Sequence, residues 1–128
     1  MHYKMRDQIR FKIGKEEKNI QEKWIEIPEG TEHIQMMIEM PEEFRYMAFL
    51  FLEDPKKEIR FQKLLGYGQQ NPGIGKSTKD TTIGGVPGEI YPGTWKIGIG
   101  IFTEYVAQKL GGQTGEIVLT VSDRKDVV

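Results

Sequence analysis

A two-residue alternation of apolar and polar side chains recurs along this chain, and it limits the available folds more than any other feature. Ile9, Phe11 and Ile13 alternate with Arg10 and Lys12. Successive side chains of an extended strand point to opposite faces, so this run predicts a strand with one buried face. Residues 20–27 repeat the pattern, with Ile25 and Ile27 on one face and Trp24 on the other. Ile34, Met36, Ile38 and Met40 then oppose His33, Gln35, Met37 and Glu39. Trp95, Ile97, Ile99 and Ile101 alternate with Lys96, Gly98 and Gly100, and Ile117, Leu119 and Val121 form a last run. Residues 46–52 are apolar at both parities, as expected of a central strand covered on both sides. Ile59 and Phe61 begin one more short strand. Turns separate the runs: a charged one at 14–19, then Pro28-Glu29-Gly30 and Asp54-Pro55-Lys56-Lys57, where proline pre-sets φ and glycine allows positive φ. One sheet would leave these apolar faces in water, so a second must cover them. The expected fold is all-β: an antiparallel sandwich of roughly seven to nine strands, jelly-roll-like or immunoglobulin-like.

Composition narrows the function classes. The chain has 128 residues, enough for a single domain with a real core, here 1–128 with its ordered part at about 9–122. Eighteen Lys and Arg nearly cancel nineteen Asp and Glu. No net field attracts nucleic acid or an anionic membrane. The longest apolar run, 47–52, is too short to span a bilayer. The absence of cysteine excludes disulfides, thiolate nucleophiles and cysteine-based zinc sites. Residues 1–7 have no apolar core and do not make a signal peptide, so the chain as given is expected in the cytoplasm. His2 is expected in a mobile terminus.

Two segments break the alternation. Residues 66–94 hold eight glycines and three prolines; so long a loop in a small domain tends to be functional or mobile. In 102–110, Phe102, Tyr105, Val106 and Leu110 have helical spacing with Gly111-Gly112 as a cap. The β-branched and aromatic residues up to Val106 favour instead a strand running on from Trp95, with a hairpin loop over 109–115.

Candidate chemistry is sparse. Gln70-Asn71-Pro72-Gly73-Ile74-Gly75-Lys76-Ser77 resembles a phosphate-binding loop, but Gln70 stands where the first glycine is needed and no helical pattern follows. His2 and His33 are the only histidines, fewer than the usual three ligands of a catalytic metal site; His33 is expected at the surface. Glu42-Glu43 and Glu53-Asp54 lie in turns, where solvated carboxylates are expected; a calcium role for Glu53-Asp54 lacks the D-x-D-x-D-G loop. Ser77 and Ser122 lie outside any G-x-S-x-G elbow. Parity places Trp95 in the core. Tyr67, Tyr91 and Lys76, all in the glycine-rich stretch, are the candidate ligand-binding residues. Gly98 and Gly100 leave one strand face bare, open to a covering loop or a ligand.

The order Leu52-Glu53-Asp54-Pro55, a charged stretch with Arg60, a long loop, and then Gly84-Gly85-Val86-Pro87-Gly88-Glu89-Ile90-Tyr91-Pro92-Gly93-Thr94-Trp95 is similar to a known family. It resembles the β-sandwich that precedes the metallohydrolase domain of PHP-type phosphoesterases of the CehA/McbA group. Trp24-Ile25-Glu26-Ile27-Pro28-Glu29-Gly30 resembles an earlier strand of that sandwich. Asp54, Pro55, Pro87, Gly88, Pro92, Gly93 and Trp95 carry the signature over most of 9–122. Residues 59–65 depart from it, standing where the family has a glycine- and tryptophan-containing stretch. There is also a weaker similarity to pre-peptidase C-terminal and carbohydrate-binding-like sandwiches. The resemblance implies that catalysis and its metal motifs belong to a following domain. The expected function is therefore a non-catalytic accessory sandwich, without cofactor or metal, that docks on a neighbouring hydrolase domain or a protein partner or self-associates. A carbohydrate- or small-ligand-binding module using the 66–94 loop is the alternative, and a stand-alone hydrolase the third.

Overall fold

A computed structural model describes residues 2–126. In chain order the strands are β1 (His2–Lys4), β2 (Gln8–Ile13), β3 (Ile20–Ile27), β4 (Ile34–Met40), β5 (Ala48–Glu53) and β6 (Ile59–Leu64). β7 (Gly68–Gln70), β8 (Gly73–Ile74), β9 (Gly93–Ile101), helix α1 (Thr103–Leu110) and β10 (Gly115–Asp123) follow. They form two five-stranded sheets, one ordered β1-β3-β9-β5-β6 and the other β2-β10-β4-β7 with β8 also on β4. All pairings are antiparallel except β1 with β3. The fold is the all-β sandwich expected from the alternation. Its ten short strands exceed the expected number because β1, β7 and β8 are too short to show a period.

The alternating runs supply the core. Ile25 pairs with Trp95, and Leu50 and Leu52 lie beside Ile99 and Ile97. Across the gap, Phe11 pairs with Ile117 and Ile38 with Leu119. All ten are 0–1% exposed. Each such side chain contributes about 1.5–3 kcal/mol by leaving water, which sets every strand's register: a one-residue slip would turn its apolar set outward. Trp95 is buried, as its parity predicts, and Trp24 is exposed on the opposite face.

Several expectations are corrected. The strand and hairpin expected across 102–115 are replaced by α1, and β9 ends at Ile101. Val106 is fully buried and Leu110 packs on the core, while Tyr105 stays exposed. In the helix Val106 and Leu110, about one turn apart, both reach the core; packing thus overrides β-propensity. Gly111, at φ 59°, ends the helix with its amide bonded to the Ala107 carbonyl. His2 lies in β1, not in a loose end, and its Nδ1 is 2.6 Å from Glu26 Oε1. The 66–94 segment contains β7, β8 and a 3-10 turn at Thr78–Asp80, so it is more regular than its composition suggests.

The bare face at Gly98 is filled from within the sheet rather than by a loop. Phe51, its partner on β5, lays its ring over it, and a Cβ there would sit 1.9 Å from Phe51 Cζ. The glycine is the recess that keeps an outward-facing phenylalanine half-buried. Gly98→Ala is therefore expected to lower unfolding stability by about 1–3 kcal/mol, measured by urea denaturation. The loss should largely vanish in a Phe51→Ala background; equal losses in both backgrounds would refute this packing role.

Candidate functional site

Three residues of the sequence signature, Asp54, Gly88 and Trp95, surround one side chain, Arg60. β5 and β6 pair Leu52 with Phe61 but Glu53 with Ile59, so the ladder skips Arg60. This bulge turns an arginine inward from an edge strand, where it is 2% exposed. Its Nη1 lies 3.3 Å from Asp54 Oδ2, donates to the Glu89 carbonyl at 2.8 Å, and its Nε donates to the Val86 carbonyl at 3.1 Å. The guanidinium carbon is 5.4 Å from the Trp95 ring centroid and 6.0 Å from that of Tyr91. Trp95 Nε1–H in turn donates to the Tyr91 carbonyl. Gly88 faces Arg60 Nη2, where a Cβ would come to 3.3 Å. Gly93, at φ 122°, packs on Pro55.

Asp54 is the counterion. It was expected to be solvated but is 2% exposed. Its Oδ1 accepts the amides of Lys56 and Glu58 at 2.8 and 3.1 Å, the hydrogen-bonding habit of aspartate at the head of a turn. One carboxylate thus closes the β5–β6 turn and holds the arginine that anchors 84–95. Each buried charge is hydrogen-bonded to more than one group, as its desolvation requires, while Arg60 Nη2 is buried without a hydrogen-bond partner.

A second polar centre lies alongside. His33 was expected at the surface, but it is only 6% exposed because the chain from β8 crosses its ring. A Cβ on Gly73 would meet the ring at 2.6 Å, so only glycine fits there. His33 Nε2 donates to the Asp80 carbonyl at 3.0 Å, which leaves Nδ1 as a buried lone pair without a partner. Burial accordingly pulls the imidazole below its ordinary value of 6.5. The Asp80 carboxylate takes hydrogen bonds from Arg124 and Ser77, which hold it below the usual range. Asp123, buried at the end of β10, accepts the amides of Glu32 and Lys125. These groups surround a cleft of about 300 Å³ that also includes Lys76. Among the described residues no three His, Asp or Glu side chains gather to hold a metal ion. Ser77 donates its hydroxyl to a carboxylate rather than to a base that would activate it.

The two centres are laced together. The Gly88 amide bonds to the Gly75 carbonyl, and Lys76 Nζ is 3.9 Å from Glu89. Lys76 and Tyr91 therefore share one end of the sandwich, where Lys56 Nζ stands 4.2 Å from the Tyr91 ring centroid. Tyr67 does not join them. It precedes Gly68, which pairs with Met40, and its ring lies near Arg45, at the far end of β4. The sequence reading missed the inward Arg60, because a bulge breaks the parity on which that reading relied. It also missed the burial of Asp54 and His33; the alternation beside His33 and the Asp-Pro turn were the available signals.

No protein-family model and no curated protein matches the chain. Among solved structures, the crystal structure of the pre-peptidase C-terminal domain of a collagenase from Bacillus anthracis is similar in fold. The TM-score is 0.57 at 9% identity, over 94% of this chain and 92% of that one. The class this defines is a two-sheet β-sandwich.

Two stability measurements follow. Asp54→Ala leaves a buried guanidinium unpaired and is expected to cost about 3–5 kcal/mol. Combined with Arg60→Met it should cost clearly less than the sum of the two single changes; strict additivity would show that the pair does not act as a unit. For His33, the unfolded chain takes up a proton first as pH falls, so its contribution is complete above the ordinary value and is lost as pH falls through it. Asp80, lowered from 3.8, acts in a separate, more acid window. The urea midpoint should therefore drop between about pH 7.5 and 5.5, and His33→Gln should flatten that drop.

Proposed function

We propose that this chain is a non-catalytic accessory sandwich that docks on a neighbouring hydrolase domain. The observation that carries this reading is Ile83, which is 97% exposed on a hydrogen-bonded turn. The Gly85 amide bonds to the Thr82 carbonyl, Thr82 to Gly73, and Gln62 to Gly84, so the turn is pinned on both sides. The Val86 amide bonds to Arg60 on the same strand edge, and Val86 and Ile59 are 50% and 40% exposed. A rigidly presented aliphatic knob with apolar flanks suits insertion into a partner's pocket, because little conformational entropy is lost on binding.

Three further facts support the reading. The buried polar groups of the candidate site, Asp54, Arg60, His33 and Asp123, are bonded to backbone groups and hold loops in place. The solved domain of similar fold is one domain of a collagenase. The signature residues resemble the sandwich that precedes a PHP-type metallohydrolase domain.

The test uses the purified chain and the hydrolase domain encoded in the same or the adjoining reading frame. Sedimentation velocity should show a complex, weakened about tenfold or more by Ile83→Asp with the thermal midpoint unchanged. No complex at high concentration, or one indifferent to Ile83→Asp, would falsify this assignment of the docking face.

A further inference from the structure

The opposite end of the sandwich carries a different surface. The 3-10 turn Glu42–Phe44 and α1 enclose a groove of about 510 Å³, lined by Glu42, Glu43, Arg45, Tyr46, Tyr105 and Lys109 among others. That volume lies in the range of small-ligand sites, about 300–1,000 Å³. Tyr46 and Tyr105 are 55% and 44% exposed. Tyr67, also 55% exposed, extends the row: the Tyr46 ring lies 3.8 Å from where a Cβ on Gly66 would stand. Phe102 continues the row past Tyr105 along a second concavity that includes Gln108. The Arg45 guanidinium lies 5.9 Å from the Tyr67 ring centroid and the Lys109 ammonium 5.8 Å from that of Tyr105.

Tyr46 is the informative member. Its φ is 62°, in the left-handed region that a bulky side chain rarely adopts. Its amide is bonded to the Leu65 carbonyl, which holds the backbone there. Glycine or asparagine would relieve the strain, and an exposed ring gains little burial in return. A strained, exposed aromatic that stability does not require is the pattern expected of a residue kept for binding.

We propose that this tyrosine groove binds a neutral oligosaccharide. Its chemistry is that of a polyol site: flat aromatic faces for the apolar C–H face of a sugar ring, and both acceptors and donors at the rim for its hydroxyls. Glu42 and Glu43 are balanced by Arg45 and Lys109, and Arg45 is paired with Glu42 at 3.4 Å, so the rim has no excess positive charge to draw phosphate or an acidic glycan. The charged rim likewise suits a hydroxylated ligand better than a purely apolar one. The groove shares no lining residue with the concavity beside Ile83, so the assignment stands independently of the docking face.

The probes are cellohexaose, maltohexaose and chitohexaose, titrated into the intact chain by calorimetry. At least one should bind. Tyr46→Asn and Tyr105→Ala should each weaken that binding about tenfold or more, and Tyr46→Asn should leave the thermal midpoint unchanged or raised. Tyr91→Ala and Ile83→Asp, outside the groove, should bind like the wild type. Three outcomes overturn the proposal: no heat with any probe at millimolar concentration; binding untouched by Tyr46→Asn and Tyr105→Ala; or a fall in thermal midpoint with Tyr46→Asn, which would make Tyr46 a structural residue. Loss of the hydrolase-domain complex in Tyr105→Ala would assign the groove to protein docking instead.

Discussion

The ion pair between Arg60 and Asp54 is the constraint on which the rest of this structure depends. An arginine turned inward from an edge strand is tolerable only when its charge is matched and most of its donors are used. Asp54 supplies the charge, and the carbonyls of Val86 and Glu89 take two more donors. Those carbonyls belong to the segment that must run from the second sheet back to β9. Holding one buried guanidinium therefore fixes the path of an otherwise irregular stretch. The same path covers the edge of β6, which would otherwise offer unpaired backbone groups to other chains.

The consequence is a molecule with two unlike ends. At the Arg60 end, glycines let backbone press against His33, Asp80 and Arg60, and charged groups are spent on holding loops. Backbone bonds to Gly73 and Gln62 hold the turn that carries Ile83. At the other end, α1 and the 42–44 turn leave tyrosines standing in solvent around a groove. Both ends are built on loops that a rigid sandwich positions, the usual arrangement by which such folds carry function.

Much of the fold was legible because burial on one face imposes a period of two. Ile9, Phe11 and Ile13, or Trp95, Ile97, Ile99 and Ile101, have no other arrangement in which all reach the core. Residues 102–110 were misread because β-branched and aromatic residues serve either structure, and only the space for Val106 beneath the sheets chose the helix. The candidate site was less legible still. Tyr67 and Tyr91 are near in sequence, yet β7 and the Arg60 clamp place them at opposite ends. Tyr46 and Tyr105 are 59 positions apart and share a groove.

By itself, then, the amino-acid sequence determined the layer structure: periodic burial, turns at proline and glycine, and a core of alternating Ile, Leu, Met, Phe and Trp. These are local signals, read from neighbours along the chain. Only the tertiary structure decided that Arg60 points inward, that Asp54 and His33 are buried, that Gly98 houses a phenylalanine, and which aromatics share a surface. Each of those depends on a partner distant in sequence or on a one-residue bulge, and a bulge reverses the parity from which sequence reasoning infers where a side chain goes.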